Sequence, residues 1–278
     1  MLTIEDHRRD SAGMTYVYPV VSRRAGGVSI GVNLNVNNAC NWACIYCQVE
    51  NLTRGSPPPV DLACLRRELD IFLAEALDGD FMTHSVPTEA RRLEDIAFSG
   101  NGEPTCAAEF ADAVIVARDA LAARQLLPQI RLRLITNGSQ LHRPEVQRGI
   151  AILAENGGEV WFKLDRVGTQ ATRMINGVAT KPEKVLANLR RCLKLAPTWL
   201  QTCWFGLDGS APSAEERKGY CDLISHVASE IAGIHLYGLA RPSLQAQAFR
   251  LTRLAQEELD SFATEVYEKT GVRVIINP

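Results

Sequence analysis

Residues 95–165 read DIAFSGNGEPTCAAEFADAVIVARDALAARQLLPQIRLRLITNGSQLHRPEVQRGIAILAENGGEVWFKLD. Three β-rich runs in it, DIAFSG (95–100), IRLRLITNG (130–138) and EVWFKLD (159–165), alternate with helical patterning over Ala107–Leu127 and Pro144–Glu155. Pro128 stops the first helix, and Pro144 suits the first turn of the second. Strand–helix–strand alternation predicts parallel strands joined by crossover helices. The pattern extends both ways. Upstream, GVSIGVNLNV (27–36) reads as a strand and Leu62–Leu77 as a helix, with a loop over Val86–Arg92. Downstream come a helix over Pro182–Leu195, a strand over WLQTCWFGLDG (199–209) and a helix over Ser213–Ile231. Ser213 and Glu216 form its capping box. A strand over GIHLYGLAR (233–241), a helix over Leu251–Lys269 and a short strand over VRVIIN (272–277) complete the chain. About six strand–helix units fall short of the eight of a closed barrel, so an open barrel and a doubly wound sheet both fit. The expected division is an N-terminal extension (1–26), an α/β core (27–245) and a C-terminal helix and strand packing on it (246–278).

Composition sets bounds. The chain has 278 residues, 46% hydrophobic and 22% charged, enough to bury a core without a metal. A net charge of −2 argues against a broad nucleic-acid surface. No apolar run reaches the roughly 18 residues of a membrane span, and the polar start MLTIEDHRRDSAG lacks a signal-peptide core. A cytoplasmic location without membrane contact is the expectation. Eight cysteines in such a chain are not read as a disulfide framework.

Three of them crowd into NNACNWACIYCQVEN (37–51), at Cys40, Cys44 and Cys47. Three thiolates on a loop after the first strand can share one face of a cubane cluster, which normally takes four. With no fourth cysteine near, one iron is left open, as in catalytic rather than structural sites. Structural zinc with a distant fourth ligand is the alternative. The spacing CxxxCxxC with an aromatic, Tyr46, before the last cysteine resembles the radical SAM superfamily. That resemblance implies a partial (β/α)6 TIM-like barrel, a [4Fe-4S] cluster on the three cysteines, and S-adenosylmethionine chelating the open iron. It implies reductive cleavage to a 5′-deoxyadenosyl radical that takes hydrogen from a substrate, with an external electron donor of the flavodoxin or ferredoxin type.

Other strand ends carry candidate contacts. SGNGEPT (99–105) offers small residues for close backbone approach and a carboxylate for an ammonium group. It resembles the family's Gly-Gly-Glu-Pro motif for the methionine amine, with asparagine at the first glycine, and so implies Gly100, Asn101, Gly102 and Glu103 as cofactor contacts. TNG (136–138) is a generic turn signal, and a purely structural role stays open beside a functional one; its place in the order is similar to the family's strand end beside the adenosyl group, which implies Asn137 as a cofactor contact. On EVWFKLD, Lys163 and Asp165 share a strand face. A paired ion at the rim and a contact to ribose, sulfonium or a substrate acid are both open, and a desolvated lysine is also able to form a Schiff base. Gln201 and Arg241 stand at later strand ends as candidate substrate contacts, arginine being suited to carboxylate or phosphate. Together these motifs resemble a subgroup of oxidoreductases related to the wyosine-forming tRNA enzymes. The expected substrate is a small molecule or short polymer segment. Nucleic acid is less favoured because lysine-rich flanks are missing. An activase acting on a partner protein and a structural metal protein are the remaining alternatives.

Overall fold

The computed structural model describes residues 2, 12–22 and 24–277, so most of the polar N-terminal segment lies outside the described residues. Eight strands form one curled sheet: β1 (Val17–Ser22), β2 (Gly27–Val32), β3 (Leu93–Phe98), β4 (Arg131–Thr136), β5 (Glu159–Lys163), β6 (Thr198–Cys203), β7 (Gly233–Tyr237) and β8 (Val274–Asn277). Their order in the sheet is their order in the chain, and β1 does not pair with β8. β2 to β8 run parallel, while β1 pairs antiparallel with β2 across a tight hairpin. The architecture is thus a partial parallel α/β barrel. Val17–Ser22, assigned from sequence to an extension, is an edge strand of this sheet. Pro19 is compatible with that edge position, because an edge strand leaves some N–H groups unpaired.

Crossover helices cover the outside: α1 (Leu62–Leu77), α2 (Phe110–Ala122), α3 (Pro144–Glu155), α4 (Thr169–Asn176), α5 (Pro182–Leu193), α6 (Ala214–Ser225) and α7 (Gln256–Thr270). Ser213 and Glu216 close the expected capping box on α6, at 3.2 and 2.8 Å. Expected ends shift inward where local geometry stops an element. α2 starts after a short turn at Pro104–Cys106, and Gln125 at φ +56° interrupts the chain behind it. β6 ends at Cys203 and β7 at Tyr237, the residues beyond them forming the mouth of the barrel. Phe262 of α7 stacks on Trp204 at 4.1 Å and tethers the C-terminal segment. No helix among the described residues is long and apolar enough to cross a membrane.

Period-two alternation sorts each strand. Ile96, Phe98, Leu132, Leu134, Val160 and Phe162 pack outward into the core beneath the helices. Asp95, Ala97, Arg133, Ile135, Trp161 and Lys163, their neighbours in sequence, face the lumen. The lower lumen is closed by charge and aromatic rings rather than by aliphatic layers. Arg133 pairs with Asp95 and, at 2.9 Å, with Glu159, whose other oxygen meets Arg131 at 3.2 Å. His235 lies between Trp161 and Trp199, each ring centroid 4.6 Å away.

Burial, then the nearby Arg24 cation, pushes the His235 pKa down to about 4. Above pH 6.5 neither folded nor unfolded His235 carries a proton; on acidification the unfolded chain binds one first. The contribution is therefore present above the unfolded value and lost as pH falls through about 6.5 to 4, to a limit of roughly 3 kcal/mol. Urea unfolding followed across that range should show a flatter acid limb for His235→Phe than for the parent protein.

Candidate functional site

The cysteine loop leaves β2 through NLNVNN (33–38), and asparagine side chains, each both donor and acceptor, fasten it. Asn33 Oδ1 accepts the backbone N–H of Asn35 at 3.1 Å and of Asn101 at 3.0 Å, tying β2 to the loop after β3. Asn35 Nδ2 donates to the Ala39 carbonyl at 2.9 Å. Asn101 Nδ2 donates to Asn38 Oδ1 at 2.7 Å. From the end of β4, Asn137 Nδ2 donates to Asn41 Oδ1 at 2.9 Å, and Asn41 Nδ2 donates to Ser139 Oγ at 2.7 Å. The end of α4 pairs its Ile175 and Asn176 carbonyls with the N–H groups of Ile45 and Ala43. On the remaining side, Ser243 Oγ donates to the Ile45 carbonyl at 2.7 Å, and Gln245 Nε2 to those of Cys47 and Val49. The loop is held from four strand ends and one helix, which offsets the entropy of fixing it.

Cys40, Cys44 and Cys47 all line one cavity of about 290 Å³ at this mouth. Cys40 Sγ accepts the Trp42 N–H at 3.4 Å and Cys44 Sγ accepts Asn176 Nδ2 at 3.3 Å, bonds that favour thiolate over thiol. Burial pushes Cys40 up to about 11 and Cys44 up to about 12, so bound metal would have to displace their protons. Among the described residues no three His, Cys, Asp or Glu side chains come close enough to hold one metal ion. A single tetrahedral zinc would bring thiolate sulfurs to about 3.8 Å of one another, given Zn–S bonds of about 2.3 Å. A four-iron cluster instead takes each thiolate on a different iron, and three cysteines lining one cavity supply that donor set. The donor set fits the implied four-iron group.

Glu103 stands beside them, buried. Its Oε1 accepts from Thr105 Oγ1 and Thr136 Oγ1, each at 2.6 Å, and from the Thr105 N–H; Oε2 accepts the Asn137 N–H at 2.6 Å. Burial raises its pKa while these donors pull the other way. Oε2, with one donor, keeps a lone pair for an ammonium group. Gly102 has to be glycine for packing: a Cβ there would lie 2.2 Å from the Ala39 carbonyl oxygen. Gly100, at φ +150°, would press a Cβ into Asn33.

Of the remaining candidates, Lys163, Gln201 and Arg241 line the cavity. The Lys163 ammonium lies 5.0 Å from the Tyr46 ring centre. Burial works to lower its pKa, but the acidic groups around it, Tyr237 and Asp165 foremost, hold it above the ordinary lysine value. Asp165 is placed inward: Oδ2 accepts from Tyr46 Oη at 2.5 Å and Asn176 Nδ2 at 3.0 Å, and Oδ1 accepts the Cys203 N–H at 3.0 Å. Asn137 lines the cavity and also braces the cysteine loop through Asn41, while Asp165 binds Tyr46 of that loop together with Asn176 and the Cys203 N–H. Asn176 and Gln245 escaped the sequence reading. The density of asparagine from 33 to 41 was a signal for the braces on the β2 side; nothing local marks Asn176.

No protein-family model matches the chain. A UPF0026 protein of Helicobacter pylori is 24% identical over 243 residues, covering 87% of this chain and 70% of that one. The structure of TYW1 with a lysine–pyruvate adduct superposes with a TM-score of 0.59 at 16% identity, covering 91% of this chain and 77% of TYW1. A radical SAM methyltransferase from Sphaerobacter thermophilus gives 0.59 at 15% identity, covering 94% and 68%. The chain therefore has the partial-barrel fold of the radical SAM enzymes, with a CxxxCxxC loop at the mouth of its parallel strands.

Proposed function

We propose that the protein is a radical SAM enzyme. The observation that carries the reading is the braced cysteine loop facing Glu103 across one cavity at the C-terminal ends of parallel strands, where such barrels hold their sites. Cys40, Cys44 and Cys47 would hold a [4Fe-4S] cluster, which with S-adenosylmethionine bound supplies one-electron cleavage of the sulfonium to methionine and a 5′-deoxyadenosyl radical. Glu103 would take the methionine amine on Oε2. Gly100 and Gly102 let the loop after β3 lie against the cysteine loop. Tyr46, anchored by Asp165, fixes the wall beside Cys47 and presents its ring to Lys163. Lys163, held charged, suits contact with an anion rather than imine formation, which needs the free amine. Gln201 and Arg241 face the space left for substrate, a small molecule or short polymer segment whose hydrogen is abstracted. The electron would come from an external flavodoxin- or ferredoxin-type donor.

The test is protein purified without oxygen. About four irons and four sulfides per chain, an electron paramagnetic resonance signal altered by S-adenosylmethionine, and 5′-deoxyadenosine formed on reduction are the expected results. Zinc, or a cluster whose spectrum ignores S-adenosylmethionine, would return the structural-metal alternative.

A further inference from the structure

Among the described residues the arginines at the floor of the lumen pair with carboxylates, and Arg24 does not. Arg133 is shared by Asp95 and Glu159, and Arg131 takes the second oxygen of Glu159. Lys163, nearer the mouth, lies over the Tyr46 ring at 5.0 Å and in the field of Asp165. Arg24 is left over. It rises from the β1–β2 hairpin, at the end of β2 opposite the cysteine loop, and lines the same cavity. Its guanidinium carbon lies 5.4 Å from the Trp161 ring centre and 4.8 Å from that of Tyr237. With the Gln201 amide turned so that its oxygen faces the hairpin, Gln201 accepts from both terminal nitrogens, 3.2 Å for Nη2. Among the described residues no carboxylate pairs with Arg24. Arg133 nearby is a like charge, its pKa lowered by burial and in part by Arg24, and the neighbouring His235 is kept neutral.

A guanidinium held between two rings, hydrogen-bonded to a neutral amide and facing a cavity has its position fixed but its charge uncompensated. An anion entering the cavity would supply the missing partner. Resting on the reading of the cavity as a substrate site, we infer that the substrate carries a carboxylate that seats on Arg24 and is flanked by Tyr237. One planar cation with an amide neighbour matches a carboxylate, whereas phosphate sites gather several backbone N–H groups or a helix N-terminus. The methionine carboxylate of the cofactor would belong at the cysteine mouth, the other end of β2.

The inference is tested by binding, so it fails or stands apart from the radical reading. Cluster-loaded protein, without reductant, is titrated with propanoate under saturation-transfer nuclear magnetic resonance. Propanoate should bind, its neutral isostere propanamide should not, and Arg24→Gln should weaken propanoate by roughly tenfold to a hundredfold. Arg24→Lys should retain part of the affinity. Propanoate should also stay bound when S-adenosylmethionine is added. Equal binding of propanamide, an unaffected Arg24→Gln protein, displacement by equimolar inorganic phosphate, or displacement by S-adenosylmethionine would each overturn the assignment. The propanamide comparison needs no variant and holds whether or not Arg24→Gln folds. Absence of iron or of 5′-deoxyadenosine would sink the radical reading and leave carboxylate binding to be judged on its own.

Discussion

Cys44→Ala protein should come off an anaerobic column nearly colourless, folded, and unable to form 5′-deoxyadenosine above roughly a hundredth of the parent rate. Loss of a residue that merely orients a metal ligand already costs 10- to 100-fold, so removal of a ligand itself sets that as the lower bound. Folding should survive because the cysteine loop hangs on its asparagines and on the α4 and 243–245 backbones, not on the sulfur. Asn176 Nδ2 loses the Cys44 sulfur but keeps Asp165 at 3.0 Å. Cys64 on α1, which is not among the residues lining the cavity, is the matched control, and Cys64→Ala should keep iron and cleavage. Equal iron in the two variants would remove Cys44 from the ligand set. A Cys44→Ala protein that unfolds would assign the metal to structure rather than to chemistry, because only a structural site makes folding depend on metal.

How far the sequence carries varies with the kind of interaction. IRLRLITNG shows its own sorting, leucines outward to the helices and Arg133 inward, because a strand in such a barrel meets two different environments on two faces. The cysteine loop and its glutamate are legible because metal ligation constrains both residue type and spacing. β1 was missed because no helix separates it from β2, so the strand–helix rhythm is silent there, and only pairing reveals the antiparallel edge. α4 was missed because eight residues make only about two turns, too short a span for its amphipathic pattern to stand out from the loops around it. Arg24 was invisible for a related reason: a hairpin arginine is an exposed residue by default, and only curling of the sheet turns it into the lumen. For Asn137 and Asp165 a strand-end position gives the neighbourhood of the side chain but not which neighbour it bonds.

That last distinction gives Asp165→Ala its expected effect. A carboxylate that touched the cofactor would keep an oxygen open to the cavity, and its loss would weaken S-adenosylmethionine binding in a protein of normal stability. Here three donors converge on it: the Tyr46 hydroxyl, the Asn176 amide and the Cys203 N–H. Alanine leaves these donors without their acceptor in a place that is 2% exposed. Losing a buried charge bound by several donors costs about 3–5 kcal/mol. For a domain of this size that lowers the melting temperature by roughly 5–15 °C. Two of the donors are coupled to the cluster site: Tyr46 precedes Cys47, and Asn176 also bonds the Cys44 sulfur. Iron loading should therefore fall together with the melting temperature. Asp165→Asn should lie between, since its oxygen keeps one side of the network while its NH2 group faces donors on the other. An Asp165→Ala protein with the parent melting temperature and full iron, but weaker S-adenosylmethionine binding, would instead make Asp165 a cofactor contact, and the hydrogen bonds around it would then be incidental to holding the loop.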